Sequence, residues 1–169
     1  MNFRLWYPQL DVYDTVRRMS CLLAAWRRDA SGVERFYILD FFLSAPCLLH
    51  NTHMPSDTRQ HFRSLNIERP NKGFLAYPAS PILFSKMESV QKSAMQTMIG
   101  KGLIDIDAFK IGIISPSLSG KDFCLNMHHL HSTDSERNVI IFLVEHFSKI
   151  GSDGPIGLRN ATGLRRGQL

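Results

Sequence analysis

The sequence lacks the features that mark membrane-spanning and disulfide-rich proteins. It contains no apolar run near the roughly 18 residues that a transmembrane helix needs, and its first residues lack the apolar segment of a signal peptide. Cysteine is scarce, with only Cys21, Cys47 and Cys124, which lie far apart and form no Cys-x-x-Cys pair. We therefore expect a protein of the reducing cytoplasm with no disulfide framework and no membrane partner.

Motifs of the common enzyme classes are also absent. No Gly-x-Ser-x-Gly, His-Glu-x-x-His, Walker A or Gly-x-Gly-x-x-Gly pattern occurs. A small hydrolase using Cys47 is a weaker alternative, because His50 and His53 are close to it in sequence. A cysteine nucleophile needs a base placed beside it in space, which local spacing does not establish. We expect no enzymatic activity, no catalytic residue and no cofactor.

Two segments of the sequence contain clusters of potential metal ligands. His128, His129 and His131 do not follow the spacing of known zinc sites, so we interpret this segment as a polar loop before the last helix. Asp105 and Asp107 alternate as they would on one face of a strand. They also sit beside a predicted turn, where aspartate is common for conformational reasons. We expect no metal site.

The residues that are present predict a soluble globular domain. Apolar residues make up 44% of the chain, charged residues 21%, and the net charge is +5. Apolar residues step by three and four along several segments, and two short β-type runs separate the last of these. The predicted helices are Asp11–Arg28, Val33 to the residue before Pro46, Ser56–Leu65, Pro81–Ile99 and Asp134–Ile150, and the β-type runs are Leu103–Ile106 and Lys110–Ile114.

This order of elements is that of a winged helix-turn-helix domain with extra flanking helices. The predicted fold class is therefore α+β and predominantly helical. Pro81–Ile99 takes the position of the recognition helix, and a small β-hairpin over Leu103–Ile114 forms the wing. Residues 1–150 are predicted to form this single domain, with 46–80 as an insertion. Residues 151–169 are predicted to form a tail rich in glycine and arginine.

The charged side chains suggest one buried pair and several surface contacts. Asp40 lies among Ile38, Leu39 and Phe41, where a carboxylate is costly to bury unless it is paired. We expect a structural ion pair with Arg17, Arg18 or Arg35. Other arginines are candidates for contact with nucleic-acid phosphates or a partner protein; these are Arg27, Arg28, Arg59, Arg63, Arg159, Arg165 and Arg166. The alternative is a solvated face with ion pairs to Asp14, Glu34 and Glu136.

Four segments resemble a known family. They are Tyr13–Met19, Glu34–Phe41 with Pro46, Lys101–Asp105 with Phe109–Lys110, and Gly157–Arg159 with Thr162–Leu164. These patterns resemble the small middle components of bacterial ABC-three component systems, which include the Lamassu anti-phage defence systems. The resemblance supplies no catalytic residue.

The resemblance implies a non-enzymatic winged-helix adaptor. Such a subunit works beside an SMC-like ABC ATPase and an effector, often a nuclease, and helps couple sensing of foreign DNA to effector release. Any DNA contact would then be non-specific and made through the complex. The alternative function is a free-standing winged-helix DNA-binding transcriptional regulator, which would be soluble alone and bind DNA with a strong dependence on salt.

Overall fold

The computed structural model describes residues 8–26, 32–69, 79–147, 150–151 and 155–164. Helices account for about 76% of these residues, and no strand or sheet occurs among them. The described helices are α1 (Val12–Ala25), α2 (Val33–Ser44), α3 (Ser56–Ser64), α4 (Ser80–Gly100), α5 (Ile106–Lys110), α6 (Leu118–His131), α7 (Asp134–Glu145) and α8 (Pro155–Thr162). Two 3₁₀ segments, Pro8–Leu10 and Pro46–Asn51, complete the described elements.

The predicted β-hairpin wing is wrong. Gly102, with a φ of 67°, ends α4, and the Asp105 carboxylate accepts hydrogen bonds from the backbone N–H groups of Asp107 and Ala108. Asp105 thereby caps α5, so the chain turns into a helix where the sequence predicted a hairpin. In the described part of this segment, extended pairing is limited to one antiparallel bridge between Ile104 and Pro116. The fold class is all-α, not α+β. The predicted winged helix is therefore also wrong, because it requires the hairpin.

Helix α2 forms the centre of the core. Its residues from Phe36 to Leu43 are all buried, so the helix is covered on every side. Aromatic rings pack edge to face around it, with ring centroids 5.4 Å apart for Phe41 and Phe84 and 5.2 Å apart for Phe42 and Phe147. This explains why the segment is apolar almost throughout, with no polar face turned to water.

Helix α1 connects the core to the rest of the molecule. It packs against α2, α4, α6 and α7, and its most extensive packing is with α6. Its N-terminus is capped by the Asp11 carboxylate, which accepts a hydrogen bond from the Asp14 N–H. The helix ends at Ala25, before its predicted end at Arg28, which itself lies outside the described residues. Helix α7 also ends earlier than predicted, at Glu145.

Parts of the predicted insertion and tail contribute to the core. Leu49, Met54 and Phe62 lie within 46–80 and are buried, as is Leu158 on α8. The backbone N–H of His53 donates to the Ala161 carbonyl at 2.8 Å and so joins the two segments. The boundaries at 46–80 and at 150 stay predictions. Among the described helices, none is both long and apolar enough to cross a bilayer.

Candidate functional site

Asp40 takes part in a buried polar cluster that joins α1, α2 and α4. Its carboxylate accepts hydrogen bonds from Arg18 Nε at 2.9 Å, Arg18 Nη2 at 3.3 Å and Gln91 Nε2 at 2.8 Å. Arg18 is 2% exposed, and Asp40 and Gln91 are fully buried. Gln91 also donates to the Tyr37 carbonyl at 2.9 Å. The cluster therefore fixes the positions of three helices relative to one another.

Arg18 is held by two carboxylates in this cluster. Besides Asp40 it contacts Asp14, and its Nη2 donates to the Thr15 hydroxyl at 3.0 Å. Burial alone would lower the pKa of Arg18, but the Asp40 and Asp14 carboxylates outweigh it and raise the pKa. The guanidinium therefore stays charged, and a buried cation of this kind is stable only while its carboxylates remain.

The other two predicted partners of Asp40 point elsewhere. Arg17 pairs with Asp14 at 2.8 Å and with Glu136 on α7 at 2.9 Å, and it donates to the His131 carbonyl. Arg35 donates to the carbonyls of Ile150 and Gly151, and burial lowers its pKa. Arg17 therefore ties α1 to α6 and α7, while Arg18 ties α1 to α2 and α4.

The arginines proposed for surface contacts fall into three groups. Arg27, Arg28, Arg165 and Arg166 lie outside the described residues. Arg59 donates to the Thr52 carbonyl, and Arg159 pairs with Glu34 at 2.5 Å and lies 5.8 Å from the centroid of the Phe84 ring. Arg63 is exposed on α3 and forms no ion pair with the part of the chain that the structure describes. Of the three described arginines, Arg59 and Arg159 are therefore engaged within the chain, and Arg63 is exposed.

The histidine-rich segment is helical, which corrects its interpretation as a loop. His128, His129 and His131 lie in the last turns of α6. Burial, with a further effect of the Arg137 cation, lowers the pKa of His128. Within the described ranges, no group of three or more histidine, cysteine, aspartate or glutamate residues is arranged to hold a metal ion. Asp105 and Asp107 are the cap and the first turn of α5.

The three cysteines lie in surroundings that disfavour the thiolate. Burial raises the pKa of Cys21 and of Cys124 to about 11, and it also raises the pKa of Cys47, which is half-buried. A reactive cysteine needs a lowered pKa and an exposed sulfur. The thiol form therefore dominates at neutral pH, which disfavours Cys47 as a nucleophile.

The outer side of α6 exposes several leucines to water. In the whole helix only Gly120 and Cys124 are buried, while Leu118, Leu125 and Leu130 are 86%, 56% and 74% exposed. Gly120 allows the close contact with the core, because a Cβ at this position would lie 1.9 Å from the Leu103 carbonyl oxygen. A helix that packs on a glycine and presents leucines to water is suited to binding another protein.

A cleft of about 500 Å³ lies where α1 ends and α6 begins. Leu23 on α1 and Trp26, which follows that helix, line one side of it, and Leu118, Lys121 and Leu125 line it from α6. The segment from Ile114 to Ser117, which precedes α6, forms a third side. Its walls are about equally polar and apolar, and both the cation of Lys121 and the carboxylate of Asp105 line it.

Sequence reasoning missed this surface because it missed α6. The available signal was Ser117, whose hydroxyl accepts a hydrogen bond from the Gly120 N–H and caps the helix. Leu118, Cys124 and Leu125 follow at helical spacing, but the polar and histidine-rich positions between them hide the pattern. Gln91, which lies on the predicted recognition helix, is a buried partner of Asp40 that the sequence pattern does not reveal.

The comparisons with known proteins give one match. The family model described as "ABC-three component (ABC-3C) system Middle Component 5" matches residues 4–167 of this chain. No curated protein and no solved structure matches the chain.

Proposed function

The chain belongs to the ABC-three component (ABC-3C) system Middle Component 5 family, and we propose on that basis that it is an adaptor subunit. A middle component is by definition one part of a multi-component system. The family match over residues 4–167 carries the proposal, because it covers nearly all of the chain and every described helix. The exposed leucines of α6 support it, since a subunit that acts through partners needs a surface on which they bind.

We propose that the partners are an SMC-like ABC ATPase and an effector, a nuclease, as in the Lamassu anti-phage systems that the sequence resembles. The adaptor would hold the effector on the ATPase and help couple the sensing of foreign DNA to effector release in the cytoplasm. DNA contact would come through the assembled complex. This fits the engagement of Arg59 and Arg159 within the chain.

We propose further that this subunit has no catalytic activity of its own. The charged cluster of Arg18 with Asp40 is buried, and its members bond to one another. A cluster without access to solvent cannot reach a substrate, so it serves to hold the helices in place. We therefore assign the catalytic steps of the system to the ATPase and the effector.

Co-expression with the adjacent genes, followed by size-exclusion chromatography, tests the adaptor function. We expect the chain to elute in one peak with an ATPase component, and to shift with the effector when both are present. Omitting each partner in turn identifies which of them binds directly. Elution of the chain as a lone monomer in every combination would contradict the proposal.

A further inference from the structure

The last two turns of α6 are held in place mainly by polar contacts. Within residues 125–131 of this fully described helix, no residue is buried. The carbonyls at the end of the helix accept hydrogen bonds from two arginines of other helices. Arg17 on α1 donates to the His131 carbonyl at 3.1 Å, and Arg137 on α7 donates to the His129 carbonyl at 2.9 Å. The stability of these turns therefore depends more on polar interactions than on apolar burial.

His128 lies in these turns with one ring nitrogen buried. The residue is half-buried, and its Nδ1 is removed from solvent and has no hydrogen-bond partner in the part of the chain that the structure describes. A proton on Nδ1 would create a buried N–H donor without an acceptor, which is costly. The neutral ring with its proton on Nε2 avoids this cost, so the fold favours the uncharged histidine.

The charges around His128 act in the same direction. Burial lowers the pKa of His128 most, Arg137 and His129 lower it further, and the Glu136 carboxylate opposes them. Glu136 is itself bound by Arg17 at 2.9 Å. A cation at the C-terminal end of a helix is ordinarily favourable, but Arg137 already occupies this position. The other titratable groups of this corner are His131 on α6, Asp14 and Cys21 on α1, and Asp134 on α7.

We propose that the end of α6 is an acid-sensitive hinge, in which protonation of His128 releases residues 125–131 from α1 and α7. Arg137 Nε donates to the Ser132 hydroxyl at 3.1 Å, and that hydroxyl donates to the His128 carbonyl. Repulsion between the charged ring and Arg137 therefore breaks contacts that hold the end of the helix. Leu125 and Leu130 are exposed on the released segment, so the hinge changes the apolar surface that α6 presents.

The direction of the pH effect follows from linkage. The pKa of His128 is lower in the folded chain than its ordinary value of 6.5. Its contribution to the stability of the closed hinge is therefore complete above pH 6.5 and is lost as the pH falls through the lower value of the folded chain. The core around α2 has apolar burial on every side and stays folded. The inference goes beyond the adaptor function and does not depend on it.

Hydrogen exchange of the full chain at about pH 7.5 and about pH 5.5, corrected for the intrinsic effect of pH on exchange, tests the hinge. We expect protection of the amides of residues 125–131 to fall about fivefold at the lower pH, while the amides of α2 keep theirs. His128→Gln, which cannot gain a charge, should keep its protection at both pH values. The matched control is His129→Gln, since His129 is the adjacent, exposed histidine, and it should behave like the wild type.

Each alternative outcome overturns a stated part of the proposal. Equal loss of protection in His128→Gln and the wild type would show that His128 does not control the hinge, and loss of the pH effect in His129→Gln would assign the control to the wrong histidine. Loss of protection in α2 together with residues 125–131 would mean that acid unfolds the whole chain. The ring protons of His128 give a readout in the wild type that needs no variant. Their NMR titration should share its midpoint with the loss of protection, and different midpoints would contradict the proposal.

Discussion

Replacing Asp40 by alanine should destabilise the fold strongly. The change removes the acceptor of three hydrogen bonds and leaves Arg18, which is 2% exposed, without its buried carboxylate. Breaking a buried ion pair by removing one partner costs about 3–5 kcal/mol. Arg18 keeps Asp14 and Thr15, so we expect the lower end, about 3 kcal/mol. For a chain of this length that lowers the melting temperature by roughly 6–12 °C.

Urea unfolding followed by circular dichroism measures this cost, and Asp107→Ala is the matched control. Asp107 also pairs with a cation, Lys110 at 3.1 Å, but its side chain is 86% exposed, so its loss should cost less than about 1 kcal/mol. Equal unfolding midpoints for the two variants would refute the reasoning.

A double variant distinguishes the contribution of the ion pair to stability from that of the packing around it. Asp40→Leu with Arg18→Met removes both charges and keeps apolar volume, so it should cost less than Asp40→Ala alone. If the double variant is the least stable of the series, the cost of Asp40→Ala does not come from an unpaired cation.

Two further predictions follow from the packing of α6 and from the thiols. Gly120→Ala should lower the free energy of unfolding by about 3 kcal/mol in urea titrations, because its Cβ would overlap the Leu103 carbonyl, while Gly100→Ala, with open space around it, should be neutral or slightly stabilising. Burial raises the pKa of Cys21 and Cys124 from 9.0 to about 11, so the unfolded chain loses these protons first. Stability should therefore be full below pH 9 and fall as pH rises toward 11, and a thiol reagent should label Cys47 before either of them.

The helices with clear apolar periodicity could be predicted from the sequence, and the segment between α4 and α6 could not. Leu103–Ile106 and Ile111–Ile114 are short apolar runs, which suit a strand and a helix about equally. Two local interactions decide the outcome: the positive φ of Gly102 and the capping of α5 by Asp105. The same carboxylate would have been unremarkable in a hairpin turn, so its presence alone did not distinguish the two structures.

The ion pair of Asp40 illustrates a second limit of prediction from the sequence. The need for a cationic partner followed from the apolar neighbours of Asp40, but the choice among Arg17, Arg18 and Arg35 did not. That choice depends on the rotation of α1 about its axis relative to α2, which is set by packing across several helices. Arg17 and Arg18 are adjacent in sequence, yet one bonds to Glu136 on α7 and the other to Asp40 on α2.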